Sequence, residues 1–224
     1  EDKAFAITSF AIHPTKCSTV TYGIETESKK VPFENKEFKK RNGFDEAEKI
    51  LLFNGTLDYQ PNGDAVKLLI LKIDPLISRY LSDYRIVITG NRITAALENS
   101  LKKASHFVYK GFVEEVADYY MGANLFLNPV LNNTGVKTKV IEAIANHCTV
   151  ITTLSGAGGI RKELCGEKLI VVEDSNWNNF AHQVIRQLGM LPTQTPDPFF
   201  DYYSWNNIIQ HTVSSIHAVV TIHA

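Results

Sequence analysis

From about residue 48 onward, short apolar runs alternate with longer amphipathic segments. KILLF (49–53), RIVIT (85–89), HFVY (106–109), LFLNP (125–129), TVITT (149–153) and LIVV (169–172) are apolar at successive positions, as in strands buried on both faces. Helical periodicity fills the gaps, over about 64–82, 93–104, 114–121, 138–146 and 176–188. This alternation predicts an α/β fold, a doubly wound, Rossmann-like parallel sheet spanning residues 48–190. Pro75 lies inside the first helical pattern and predicts a kink near Asp74. LPTQTPDP (191–198) then breaks the periodicity, and SWNNIIQHTVSSIHA reads as a final helix with Ser204 as its N-cap.

Composition narrows the partners. Of 224 residues, 44% are hydrophobic and 21% charged, enough to bury a core. Twenty-three basic residues against 24 acidic ones leave a formal charge of −1, so no global field steers the chain toward nucleic acid. No apolar run approaches the ~18 residues of a membrane span, so no integral membrane segment is expected. Cys17, Cys148 and Cys165 form no CxxC pair, which argues against a disulfide framework or zinc site and fits a reducing, cytoplasmic setting. Peripheral attachment to the inner face of a membrane stays open. The opening EDKAFAITSF has neither an initiator Met nor a signal-peptide pattern and reads as a fragment or processed form.

The basic run Lys29–Arg41 contains Glu34 and Glu37 and reads as a solvated connector. His211, His217 and His223 recur every six residues, which at about 100° per residue points them in three directions and excludes a shared metal face. Cys148 reads as an inert core thiol.

In a doubly wound sheet, ligands bind beyond the carboxyl ends of the strands. The richest such loop is NNTGVKTKVIEAIANHC, which passes from the LFLNP strand through Gly135 into a helix starting near Thr138. Lys137 and Lys139 stand at the mouth of that helix, where the macrodipole disfavours a cation unless an anion is bound. Free first-turn N–H groups, a glycine and two ammonium groups make a phosphate cradle; the competing reading is that both lysines point into solvent. Glu142, one turn below Thr138, can accept from two vicinal hydroxyls of a ribose, or can be a plain surface glutamate.

FNGTLDYQPNGDA (53–65) leaves the first strand through Gly55 and reaches a helix near Asp64, so Gly55 is either a close-approach position or a simple turn. YKGFVEE places Gly111, Phe112 and Val113 after a strand, where they can cover a planar base, although a phenylalanine in such a place is more often plain core. In TTLSGAGGIRKEL, Arg161 occupies the third glycine position of a dinucleotide fingerprint, so that motif is absent.

The blocks KILLFNGTLDYQPNGDAV, IVITGN, YKGFVEEVADYYMGANLFLNPV, NTGVKTKVIEAIANHCTVITT, SGAGGI, LIVVED and YYSWNNI resemble, in order and spacing, the C-terminal donor-binding half of GT-B glycosyltransferases of the retaining group 1 class. The resemblance implies a remnant of the N-terminal domain and linker at 1–47, the donor-binding domain at 48–190 and a C-terminal linker and helix at 191–224. It implies transfer of a sugar from a nucleoside-diphosphate sugar to a glycan or lipid-linked acceptor. The missing N-terminal GT-B domain is the implied partner, and no metal or cofactor is implied beyond the donor itself.

Its donor positions fall on Gly55, Thr56, Asn62, Gly90, Gly111, Phe112, Val113, Thr134, Gly135, Val136, Thr138 and Glu142; Lys137 and Lys139, from the reading of the helix mouth itself, are the candidate catalytic cations. Thr134 stands where many relatives carry an acid, and the basic pair of the first loop is missing, with Thr56 in the arginine position and Pro61 or Asn62 near the lysine position; Lys137 and Lys139 are expected to supply the compensating charge. His147 and Thr149 stand where glycine and proline are common. A non-catalytic nucleotide-sugar-binding module and a nucleotide-sugar epimerase are the alternatives of the same fold.

Overall fold

The computed structural model of the chain describes residues 2–25, 35–132 and 134–221. These fall into two compact units, Ser28–Pro196 and a smaller one that joins Glu1–Glu27 to Asp197–Ala224. In chain order the elements begin with α1 (Asp2–Ser9) and α2 (Asn35–Asn42), followed by β1 (Lys49–Asn54) and α3 (Gln60–Leu68). Then come α4 (Asp74–Ile77), β2 (Tyr84–Thr89), α5 (Ala95–Lys103), β3 (Phe107–Gly111), α6 (Val116–Gly122) and β4 (Leu125–Asn128). The larger unit closes with α7 (Thr138–Ala145), β5 (Thr149–Thr153), β6 (Leu169–Val172) and α8 (Trp177–Leu188), and the smaller with α9 (Asp197–Tyr203) and α10 (Trp205–Thr221).

The six strands form one parallel sheet in the order β3-β2-β1-β4-β5-β6. This is the doubly wound sheet predicted from the continuous apolar runs, whose residues have no solvent-facing side to reserve for polar groups. On one face Leu51, Phe53, Ile86, Ile88, Leu125, Leu127 and Ile151 join a core with residues of α3, α5 and α8. On the other, Ile50, Leu52, Phe126 and Val150 are buried where α6 and α7 pack on β1, β4 and β5. Chain direction across the sheet reverses between β1 and β4, and the crevice beyond those two strand ends is where such a fold places its ligand.

Four local readings change. The pattern expected over 64–82 starts at Gln60, because Pro61 fits the first turn of a helix with its N–H already dispensable. In place of a simple kink, a π-helical stretch at Leu69–Ile73 absorbs the lost hydrogen bond just before Pro75. The described part of the supposed solvated connector is helix α2, with Phe38 only 1% exposed and set edge-to-face on Tyr119 at 5.2 Å. A Cβ at Gly122 would lie 2.1 Å from the Phe38 ring, so that glycine is the seat of the helix. Finally, α9 occupies part of the proline-rich break, burying Phe199, Phe200 and Tyr203 in the smaller unit. Residues 29–34 of the connector and His223 lie outside the described residues.

Within the smaller unit, Ile24 accepts from Trp205 N at 3.1 Å and donates to Tyr203 O at 2.7 Å, clamping the start of α10 to the extended segment around Gly23. Ser204 directly precedes that helix and its carbonyl accepts from Ile208 N at 2.9 Å.

The ends of β1, β2 and β3 are drawn together by backbone. Gly55 N donates to Thr89 O at 3.0 Å and Gly90 N to Gly111 O at 2.8 Å. Gly90 has φ +136°, and a Cβ there would sit 1.8 Å from Gly55 O. Gly111 shares a positive φ, +69°, but faces open space. Gly90→Ala is therefore expected to cost about 3 kcal/mol of unfolding free energy, and Gly111→Ala only about 1 kcal/mol, since the first adds a backbone clash to dihedral strain. Urea denaturation of both variants checks the difference, and equal losses would contradict it.

Candidate functional site

Helix α7 organises the crevice. It exists as a helix because Val140, Ile141, Ile144 and Ala145 recur at helical spacing and are buried against the sheet. Its C-terminus closes in a Schellman turn: Cys148 N donates to Ala143 O at 2.9 Å and His147 N to Ile144 O at 2.9 Å, with His147 at φ +57°. His147 therefore takes the left-handed position that glycine usually fills, and its Nδ1 accepts from Thr195 N at 3.2 Å. Lys168, 1% exposed, donates to His147 O at 2.5 Å and places a cation at the negative end of the helix dipole.

The N-terminus has the opposite arrangement. No side chain caps it, and the residue at the cap is Lys137 itself. Its ammonium donates to Thr134 O at 2.7 Å, while Lys139 reaches back across the crevice to Asn62 Oδ1 at 2.9 Å. There Lys139 Nζ lies 5.8 Å from the centre of the Phe53 ring and within 2.5 Å of where a Cβ on Gly55 would be. Gly55 is thus a close-approach position: its missing side chain is the space the ammonium occupies. Burial lowers the Lys139 pKa to about 8, helped by Lys137 and opposed by Glu142, and burial also lowers that of Lys137.

Two cavities of about 400 Å³ each open on this cation. One contains Tyr59, Asn62, Thr134, Val136 and Lys137, and the other Gly55, Gly90, Phe112, Val113 and Glu142. Thr56, Thr138 and Lys139 line both, so the pair forms one groove across the β1/β4 crevice. Phe112 is 71% exposed and stands in the groove wall, which removes the core reading left open by the sequence. Glu142 lies on the groove side of α7 beside Thr138. Gly111 and Gly135 (φ +66°) shape the adjoining turns without lining either cavity.

Sequence reasoning missed Asn128. It is 5% exposed at the end of β4 and lines the groove, donating to Thr152 Oγ1 at 2.9 Å and Gly156 O at 3.0 Å. A lone amide ending an otherwise apolar strand was its signal. The glycine-rich SGAGG segment is a structural turn tied to this amide, and Asp174 holds it by accepting from Ser155 N at 2.9 Å and Ser155 Oγ at 2.5 Å. Burial pushes the Cys148 thiol up to about 12, which keeps it protonated and unreactive. Among the described residues, no group of three or more His, Cys, Asp or Glu side chains could hold a metal ion.

A parallel sheet with a cationic helix mouth, a carboxylate and an exposed aromatic ring gathered at its switch point defines an α/β protein of the Rossmann-like class. The chain belongs to the group 1 glycosyltransferases, residues 48–189 matching the family described as "Glycosyl transferases group 1". It is 31% identical over 133 residues to an uncharacterized 44.6 kDa protein in the cps region of Klebsiella pneumoniae, covering 55% of this chain and 34% of that protein. A glycosyltransferase from Rickettsia africae shares the fold at 12% identity with a TM-score of 0.73, over 95% of this chain and 60% of the other. The C-terminal domain of a group 1 glycosyl transferase from Francisella tularensis superposes at 18% identity and TM-score 0.58, over 80% of this chain and 95% of that domain. The chain thus spans about a third of its curated relative and three-fifths of the Rickettsia enzyme.

Because its folded-state pKa lies below the unfolded value, Lys139 disfavours folding while charged, and stability rises as pH climbs from about 8 toward 10.5. Lys139→Met should stabilise the fold at pH 7 by about 1–3 kcal/mol, the residual solvent access of the site reducing the full effect. The gain should shrink at pH 10. Guanidinium denaturation at both pH values tests this, and a loss of stability at pH 7 would contradict it.

Proposed function

We propose that this chain is the donor-binding half of a glycosyltransferase that moves a sugar from a nucleoside-diphosphate sugar to a glycan or lipid-linked acceptor with retention of anomeric configuration. The observation that carries the reading is the convergence of Lys137, Lys139, Glu142 and exposed Phe112 on one groove at the switch point. In this reading the diphosphate lies at the mouth of α7, where first-turn N–H groups and the two ammonium groups face it. Glu142 accepts from the ribose hydroxyls, and Phe112 with Val113 covers the base. The sugar then extends toward Tyr59, Thr134 and Asn128.

During transfer the bond between the anomeric carbon and the diphosphate oxygen breaks, and its electron pair leaves with the diphosphate. The acceptor hydroxyl forms the new bond on the face the diphosphate leaves, and its proton passes to the departing diphosphate oxygen. Lys137 and Lys139 stabilise the charge growing on the leaving group, a contribution that increases toward the transition state and so speeds the step. Acceptor binding falls to an N-terminal GT-B domain, in keeping with the fraction of the relatives that this chain spans. The cps setting of the Klebsiella relative supports a polysaccharide acceptor. Among the described residues no helix is long and apolar enough to cross a membrane, so a lipid-linked acceptor would be met at a membrane surface.

Glu142→Ala should weaken nucleotide-sugar binding by about tenfold or more, the worth of hydrogen bonds to a charged acceptor, and isothermal calorimetry against the donor found in a thermal-shift panel measures it. Unchanged affinity would remove the ribose assignment. Replacing Lys137 and Lys139 together by alanine should weaken the nucleoside diphosphate far more than the bare nucleoside. Equal weakening of both would reject the cradle.

A further inference from the structure

Asn62 lies in the first turn of α3, 6% exposed, with both ends of its amide engaged. Nδ2 donates to Thr56 O at 2.8 Å, six residues back in the loop after β1. That bond fixes the orientation of the amide, so Oδ1 faces Lys139 Nζ at 2.9 Å, across 77 residues of sequence. Turned over, the amide would set N–H groups against an ammonium and leave the Thr56 carbonyl without this donor. The ammonium is further confined by Gly55 beneath it and the Phe53 ring beside it.

Lys139 is the cation common to both halves of the groove, and its placement depends on a neutral acceptor rather than a carboxylate. A carboxylate at position 62 would hold the ammonium more firmly but would cancel the charge meant for a phosphate. An apolar residue would leave a half-buried ammonium without this acceptor and favour its neutral form.

We propose that Asn62 is the positioning residue of this site, aiming the Lys139 ammonium at the diphosphate and setting the pH window in which the groove accepts one. The inference rests on the donor reading above and adds to it that Asn62 acts through Lys139 rather than on the donor. The charged groups around Lys139 are Lys137 and Glu142 on α7 and Glu114 between β3 and α6, all lining the same groove. β1, the loop after it and α3 contribute Phe53, Gly55 and Asn62 as the direct neighbours of the ammonium, with the Tyr59 phenol lining the same cavity. Asn62 is therefore the direct contact whose replacement shifts the proton affinity of Lys139 without changing α7. Since the diphosphate requires the ammonium form, binding takes up a proton wherever free Lys139 is neutral, and affinity falls as pH rises through that range.

The test is calorimetric titration of inorganic pyrophosphate into the full chain from pH 6 to 10.5, for the unaltered protein and for Lys139→Met, Lys139→Arg, Asn62→Leu and Asn62→Asp. Dividing each affinity by that of Lys139→Met at the same pH cancels the titration of pyrophosphate itself. The unaltered protein should give a ratio that is level at low pH and falls about tenfold per pH unit above a midpoint near 8. Lys139→Arg should show no such fall, because guanidinium stays charged throughout. Asn62→Leu should move the midpoint down and Asn62→Asp should move it up, each by about one pH unit. Midpoints unmoved in the Asn62 variants, with the ratio itself intact, would overturn the role of Asn62 and leave the diphosphate assignment standing. A ratio of one at every pH would overturn both, since Lys139 would then not meet the anion. Should Asn62→Leu fail to fold, the upward shift in Asn62→Asp decides alone.

Discussion

A helix dipole that meets cations at both ends is the constraint around which the larger unit is arranged. At the C-terminal end of α7 the buried ammonium of Lys168 satisfies the His147 carbonyl and opposes the partial negative charge there. At the N-terminal end Lys137 and Lys139 add positive charge to partial positive charge, which costs about 0.3–1 kcal/mol for each at a surface and more as they are desolvated. Neither helix propensity nor packing asks for them. Gly55, the early start of α3 and the amide of Asn62 all serve to keep one of these ammonium groups in place. Strain of this kind is relieved when an anion arrives, and a site that stores it is matched to a charged ligand more closely than one built from satisfied ion pairs.

Much of this was legible in the sequence because its cause is local. Apolar runs of four to six residues have no alternative but a sheet covered on both sides, and all six strands lie within a residue or two of their predicted positions. Helix α7 was equally plain, since its amphipathic period and the glycine ahead of it are contiguous. Helices α2 and α9 were hidden because a few aromatic side chains anchor them. Phe38 packs against Gly122 far along the chain, and Phe199, Phe200 and Tyr203 follow three prolines that also fit a loop. The same division holds at the site. Gly135, Lys137, Thr138 and Glu142 could be read together from one loop and one helix turn. The hydrogen bond from Lys139 to Asn62 joins distant segments, and no periodicity announces it.

Membership of the group 1 family fixes the scaffold, and the chemistry at the groove is this chain's own. Tyr59, Asn62, Asn128, Asn132 and Thr134 give the cavity on the α3 side hydroxyls and amides, and the charges that line it are the two lysines. Asn132 accepts from both Thr134 N and Thr134 Oγ1 at 2.7 and 2.6 Å, so the loop after β4 is organised by its own short polar contacts. Amide and hydroxyl groups can serve either as donors or as acceptors to a sugar, whereas a carboxylate accepts only.

The two chambers of the groove share Thr56, Thr138 and Lys139, both draw on α7 and the loop after β1, and beyond these they use different segments of chain. One is furnished by the loops after β2 and β3, the other by the start of α3 and the loop after β4. Divided in this way, the site is modular in an evolutionary sense. On the proposed donor reading, substitutions at Phe112 or Val113 can alter what is recognised on one side of the shared cation while Tyr59, Asn132 and Thr134 remain unchanged on the other. A lineage could therefore exchange one half of its ligand at a time, with the ammonium at the boundary serving as the fixed point between old and new specificities.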